Sequence, residues 1–260
     1  SRRRETMNKT MELLAPAGDM AALRAAVCAG ADAVYLGYTQ FGARASAANF
    51  DAEGLAEAVA YAHLYHTRIY VTVNTLVKPD ELEAVGEAFA VIAACRADAV
   101  IVQDAGVLRM ARQGFPALSL HVSTQMGIHS AAGARFAMAH GARRVVLARE
   151  CGHDEIAKVA QSGVETEVFV HGALCSSVSG QCLLSSMAGG RSGNRGRCAQ
   201  PCRQQLSYNG RSAAFLSLKD LCLRDRLPEL WQAGVTALKI EGRLKRPEYV
   251  AVVTNAYRKA

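Results

Sequence analysis

One local unit recurs along the 260 residues and limits what the chain can fold into. An Ala-rich amphipathic stretch closes on glycine, and a few residues later a short apolar, often β-branched run begins. Gly30 leads to Ala33-Val34-Tyr35-Leu36, Gly141 to Val145-Val146-Leu147, Gly163 to Val168-Phe169-Val170, and Gly234 to Leu238-Lys239-Ile240. Glycine just past a helix takes the left-handed conformation that ends it, and an uninterrupted apolar run of this length is a strand buried on both faces. Each unit therefore reads as helix, then strand. Ala99-Val100-Ile101-Val102 is the same unit without its glycine, following Cys95-Arg96-Ala97-Asp98.

The apolar runs predict strands near 12–15, 33–38, 68–74, 99–103, 118–123, 143–148, 166–171 and 237–241. Helical patterns fill 19–29, 53–65, 79–95, 105–113, 130–140, 153–162 and 220–233, and a last one at 247–259 closes the chain. In 79–95, Pro79 and Asp80-Glu81 suit a first turn, and Leu82, Val85, Phe89 and Ile92 recur at helical spacing. Strands alternating with helices imply a parallel sheet, and eight such repeats in a chain of this length close a (β/α)8 barrel of the TIM type. The open doubly wound sheet is the competitor, but no Gly-rich phosphate fingerprint follows the first strand.

In a barrel of this kind chemistry gathers at the C-terminal ends of the strands. Those positions hold Asp19, Tyr38, Asn74, Gln103 and Asp104, then His121, Ser123 and Gln125, Arg149 and Glu150, His171, and finally Lys239, Glu241 and Arg243. Asp19 also suits a helix N-cap. Half the residues are hydrophobic and a fifth are charged, which excludes a disordered tail, a collagen-like fibre or a small disulfide-stapled module. No apolar run reaches the roughly 18 residues needed to span a bilayer, and the N-terminus has no signal-like apolar region, so we expect a cytoplasmic protein without a membrane partner. Ser1-Arg2-Arg3-Arg4 is basic, and 1–10 is expected to be a flexible extension ahead of a single barrel domain over 11–260.

The net charge of +7 is unevenly placed: 1–142 carry 12 basic and 13 acidic side chains, 143–260 carry 18 and 10. Residues 173–211 contain Arg191, Arg195, Arg197, Arg203 and Arg211 and no acid, which suits a polyanion or an acidic small molecule as well as a solvated basic surface. The same stretch belongs to a long insertion after strand seven, at about 173–215, well beyond the usual loop length. It holds Cys175, Cys182, Cys198 and Cys202, spaced C-x6-C-x15-C-x3-C. Cys28, Cys95, Cys151 and Cys222 are scattered and read as packing residues. Four thiols so close in a reducing compartment point to a metal group rather than disulfides. Zinc is the default for four thiolates but favours C-x2-C knuckles, whereas an iron–sulfur cluster accepts looser spacing, so spacing alone leaves both open with the cluster ahead. A Cys175–His171 pair offers a second reading, nucleophilic catalysis, although four residues of separation at a strand end do not ensure that the side chains meet.

Several segments carry a family resemblance. They are EVFVHGALC at 167–175 followed by GQCLLS at 180–185, ELLAPAG at 12–18, ADAVY at 31–35 and KIEGR at 239–243. Together they resemble peptidase family U32, the collagenase-like family, over nearly all of 11–260. Further segments, FGAR at 41–44, NTL at 74–76, STQM at 123–126, VLARE at 146–150 and GRSGNRG at 190–196, resemble its RNA-hydroxylating members. The resemblance implies oxygen-independent hydroxylation of a pyrimidine in ribosomal or transfer RNA, with prephenate or a similar small carboxylate as hydroxyl donor. It implies a 4Fe–4S cluster on Cys175, Cys182, Cys198 and Cys202, with zinc as the runner-up. Longer members continue past the barrel into further domains, whereas this chain stops after its last helix at Ala260, so it is expected to lack a C-terminal domain present in longer relatives.

On that basis Arg44, Arg149 and Arg243 are expected to pair with donor carboxylates, and Asn74, His121, Gln125 and Lys239 to contact substrate. Tyr38 or His121 could meet an extruded base. Glu150 and Glu241 are the acid–base candidates, with orientation of the arginines as their other role, and His171 is the third catalytic candidate. RNA is the expected macromolecular partner and DNA is not. The rival readings are a U32-type peptidase centred on Cys175 or a metal, and a non-catalytic RNA-binding module.

Overall fold

The computed structural model describes residues 10–44 and 48–260. The expected extension over 1–10 therefore lies, Thr10 apart, outside the described residues. Eight parallel strands form a closed ring: β1 (Glu12–Pro16), β2 (Ala33–Gly37), β3 (Arg68–Val73), β4 (Ala99–Val102), β5 (Ser119–Val122), β6 (Arg144–Val146), β7 (Glu165–Gly172) and β11 (Ala237–Ile240). Each pairs with the next, and β11 closes the ring between β7 and β1. The chain is the expected (β/α)8 barrel. Between strands run α1 (Met20–Cys28), α2 (Ala52–Leu64), α3 (Leu82–Ala94), α4 (Ala105–Gly114), α5 (Ala131–Ala139), α6 (His153–Ala160) and α8 (Leu227–Ala233), and α9 (Pro247–Arg258) follows the last strand. None of the described helices is long and apolar enough to cross a membrane.

The recurring unit works as its chemistry dictates. Gly30, Gly141, Gly163 and Gly234 have φ of 89°, 97°, 90° and 91°, and the chain turns from each helix into the next strand. In the unit that lacks glycine, Arg96 takes the same role at φ 60°. Three helix starts are fixed by aspartates: Asp19 accepts from the Ala22 amide at 2.8 Å, Asp51 from Gly54 at 2.8 Å and Asp104 from Gly106 at 2.7 Å. Asp19 is thus a cap.

Two layers of core follow from strands buried on both faces. The larger lies between barrel and helices, where Leu23, Leu55, Phe89, Ile92 and Leu108 are almost wholly buried. The inner one includes Leu14, Tyr35, Tyr70 and Ile101. Below it the lumen holds charges. Arg144 bonds Glu12 at 2.5 Å, Glu167 at 3.2 Å and Glu165 at 3.0 Å, Lys239 bonds Glu167 at 2.9 Å, and Tyr70 donates to Glu12 at 2.9 Å. Arg68 adds an ion pair to Glu12. Buried charges survive only when paired, and here acids and bases interlock.

The excursion after β7 contains α7 (Leu184–Gly189), a hairpin of β8 (Leu206–Tyr208) and β9 (Arg211–Ala213), and β10 (Leu221–Cys222). The hairpin turns at Asn209-Gly210, both at positive φ. A helix over 220–233 was expected, but β10 pairs antiparallel with Gly172 and His171 at the rim, and α8 starts only at Leu227, with Pro228 in its first turn.

Candidate active site at the barrel mouth

A cavity of about 290 Å³ opens at the C-terminal end of the strands, between the barrel and the excursion. Tyr35, Thr72, Ile101, Phe169 and Lys239 line it from the strands, and Arg44, Arg149, Glu241 and Arg243 from the loops that follow them. Glu241 sits between two guanidinium groups, 3.1 Å from Arg44 and 3.3 Å from Arg149. Burial alone would raise its carboxyl, but Arg44, Arg149 and Arg243 outweigh burial and hold it down to about 2. It is an ionised counter-charge, not a proton donor. Arg243 is 3% exposed, donates to Thr72 Oγ1 at 2.7 Å, and is pushed down to about 10 by burial and by Arg44. Its guanidinium fits because residue 37 is glycine: a Cβ there would come within 2.4 Å of Arg243 Nη1.

Three guanidinium groups thus face one carboxylate. Arg149 stacks on Phe169, 4.4 Å from the ring centre, and its Nε is buried without a partner. Asn74 crosslinks the wall, donating to Gln125 Oε1 at 3.0 Å and accepting from the Ala43 amide at 3.1 Å. An arrangement with surplus positive charge, an unsatisfied donor and aromatic walls is suited to a small organic anion.

The excursion lies over this mouth. The Glu150 carboxylate accepts from the Ser179 amide at 3.0 Å and its hydroxyl at 2.8 Å. On the other side Asn194 donates to Gln103 at 2.9 Å and accepts from the Leu76 amide at 2.9 Å, and Arg195 pairs with Glu81. The Arg195 hydrogen bonds, with help from the Lys78 amide, hold Glu81 down to about 2. Between these anchors Cys175, Cys182, Cys198 and Cys202 all line the cavity as free thiols. Among the described residues no three His, Cys, Asp or Glu side chains are gathered closely enough to hold a single ion. Four thiols on one cavity are a donor set of the kind that both iron–sulfur clusters and zinc use.

Of the residues expected from sequence, Arg44, Asn74, Gln125, Arg149, Lys239, Glu241, Arg243 and the four cysteines share this cavity, whereas Glu150, His121 and His171 do not line it. Glu150 anchors the excursion instead. His121 lies 2% exposed inside the lumen, edge-on to Tyr70 at 4.7 Å; burial and then Arg144 and Lys239 keep it well below the usual histidine range, hence neutral. His171 is turned away by a bulge: Lys239 and Ile240 pair with Phe169 and His171, so β7 has one extra residue and its alternation breaks at Val170. The ring meets Tyr257 of α9, with Nδ1 3.3 Å from the hydroxyl. No histidine among the described residues lines the cavity, so a Cys175–His171 pair gains no support there.

Sequence reading missed Tyr35, Thr72, Phe169 and the anchors Ser179, Asn194 and Glu81. The first three stand on inward positions of their strands, which period-two alternation with Lys239 or Glu167 could have flagged. The anchors had no such signal, because their partners lie more than 25 residues away.

Comparison with known proteins extends this geometry. The model of peptidase family U32 matches residues 18–260. The chain is 42% identical over 256 residues to the 23S rRNA 5-hydroxycytidine C2501 synthase of Escherichia coli (strain K12), covering 95% of this chain and 39% of that protein. It is 36% identical to tRNA hydroxylation protein P1 of Bacillus subtilis (strain 168), covering 98% and 64%. It therefore spans less than two thirds of either relative. Among solved structures, the U32 peptidase Mk0906 superposes with a TM-score of 0.63 at 13% identity, covering 93% of this chain and 97% of that one, a likeness of fold alone.

Proposed function

The chain belongs to peptidase family U32, and from that premise we propose that it forms the catalytic barrel of an RNA pyrimidine hydroxylase that works without oxygen. A small carboxylate of the prephenate type donates the hydroxyl group, and a 4Fe–4S cluster is held by Cys175, Cys182, Cys198 and Cys202. The observation that carries this reading is the joining of an arginine-rich anion pocket and four thiols in one cavity. The names of the relatives, one modifying ribosomal and the other transfer RNA, support RNA as the substrate class.

The residues divide the work by chemistry. Arg44, Arg149 and Arg243 hold the donor carboxylates, and Arg149 Nε offers a donor that the protein itself leaves open. Glu241 keeps the guanidinium groups apart and oriented when the pocket is free, and gives way as the ligand carboxylate takes its place. Asn74 and Gln125 present amides to the pyrimidine edge, and Phe169 and Tyr35 give apolar walls that exclude water. A bound cluster would supply one-electron chemistry or an exposed iron as a Lewis acid. Arg191, Arg197, Arg203 and Arg211, with no acid from 173 to 219, would draw the RNA backbone toward the mouth.

The test joins two measurements. Protein purified without oxygen should be brown and carry iron and sulfide, and Cys198→Ser should lose both. A colourless protein with stoichiometric zinc contradicts the cluster. Mass spectrometry of ribosomal and transfer RNA from cells with and without the gene should show loss of a 5-hydroxypyrimidine, and unchanged RNA contradicts the hydroxylase.

A further inference from the structure

Lys239 is the one lysine that lines the cavity among the described residues, and it does so from its floor. It is 4% exposed, its Nζ lies 2.9 Å from Glu167 Oε1, and it faces the Tyr35 ring at 4.3 Å and the Phe169 ring at 5.5 Å. Arg149 lies 4.4 Å from the centre of that same Phe169 ring. The Tyr35 hydroxyl, 2.9 Å from the Ile240 carbonyl, feels Glu241, Arg243, Arg44 and Arg149. Two aromatic rings thus connect the floor amine to the guanidinium groups of the mouth. Glu167, wholly buried, already has Arg144 as a cationic partner at 3.2 Å. Arg144 is shared with Glu12 and Glu165, so Lys239 also balances Glu167, and of these two cations it alone lines the cavity.

We propose that Lys239 condenses with the ketone of a 2-oxo carboxylate, holding it as a protonated imine while its carboxylate pairs with the mouth arginines. The proposal rests on the reading of the mouth as a carboxylate-donor site and adds the group that binds the donor covalently. In a 2-oxo acid the carboxylate and ketone are on adjacent carbons, the first suited to an arginine and the second to an amine on the same cavity. Guanidinium is not a useful nucleophile, whereas a desolvated amine next to other cations is. Burial lowers the Lys239 ammonium, with Glu167 pulling the other way.

The step balances. The ammonium passes one proton to Glu167. The freed nitrogen pair forms the bond to carbon as the carbonyl π pair moves onto oxygen, which takes up that proton. The carbinolamine then loses its oxygen as water with a second proton from nitrogen, leaving C=N–H⁺. Ammonium plus ketone gives iminium plus water, and nothing is oxidised or reduced. The nitrogen is cationic before condensation and again in the iminium, so the buried Glu167 recovers its counter-charge in the adduct, which an acylated lysine would not provide.

Pyruvate is the probe. The purified wild-type protein is incubated with pyruvate, reduced with borohydride and mapped by peptide mass spectrometry. The reduced pyruvyl adduct is expected on Lys239 ahead of the exposed Lys78, Lys219 and Lys245, and absent when borohydride is added first. An adduct confined to the exposed lysines, or none, overturns the imine without any variant. Lys239→Arg keeps the charge and cannot condense, so once circular dichroism shows that it folds, it should lose both trapping and RNA hydroxylation. Wild-type hydroxylation by Lys239→Arg removes the imine and leaves the hydroxylase standing. RNA unaffected by loss of the whole gene removes the hydroxylase, and trapping still decides the imine.

Discussion

Glu241 is flanked by Arg44 and Arg149 and lies in the field of Arg243. A carboxylate held down to about 2 has no proton to give near neutrality, so its two arginines, not acid catalysis, explain its position. Glu241→Gln should destabilise the fold by about 1–3 kcal/mol in urea unfolding, the size of a lost charge-assisted hydrogen-bond pair. The same variant no longer competes with an incoming ligand. Succinate should then raise the melting temperature of Glu241→Gln by more than it raises that of the wild type, and equal shifts would separate Glu241 from the anion pocket.

At the scale of elements, Arg96 occupies at φ 60° a position that four sister units give to glycine, and its side chain is exposed. A left-handed side chain costs free energy that glycine avoids, so Arg96→Gly should stabilise by about 0.5–1 kcal/mol, or roughly 1–4 °C in Tm for a domain of this size. The excursion offers a pH test. The Glu81 carboxyl is lowered from 4.5 to about 2 by Arg195, so the latch contributes fully above the ordinary carboxylate range and loses its contribution as pH falls toward 2. Hydrogen exchange in 190–198 should therefore rise as pH drops below about 4.5, after correction for the intrinsic rate, and Glu81→Gln should show the faster exchange already at neutral pH.

For the whole molecule, the lumen carries an interlocked set of charges that closes the barrel across its diameter. Arg144 joins β6 to Glu12 of β1 and to Glu165 and Glu167 of β7 while remaining 5% exposed. Arg144→Met leaves two buried carboxylates short of a partner, and a loss on the order of 3–5 kcal/mol is expected in chemical unfolding. A much smaller loss would mean that water reaches the lumen and screens those charges. The network also supports the floor of the site, since Lys239 and Arg144 share Glu167.

Sequence by itself determined the barrel, because period and punctuation are local: each helix stop and each buried run lies within about ten residues of chain. It also determined which residue types cluster at the strand ends and that four cysteines share one insertion. Tertiary structure decided which of them meet. A single bulge at Val170 turned His171 toward α9, and Glu150 turned out to fasten Ser179 rather than face the cavity. The rim strand at 221–222 displaced the expected start of a helix. The pairing of Lys239 with Glu167 spans 72 residues, and that of Arg44 with Glu241 spans 197. Such contacts depend on register and ring closure, which no stretch of sequence encodes alone.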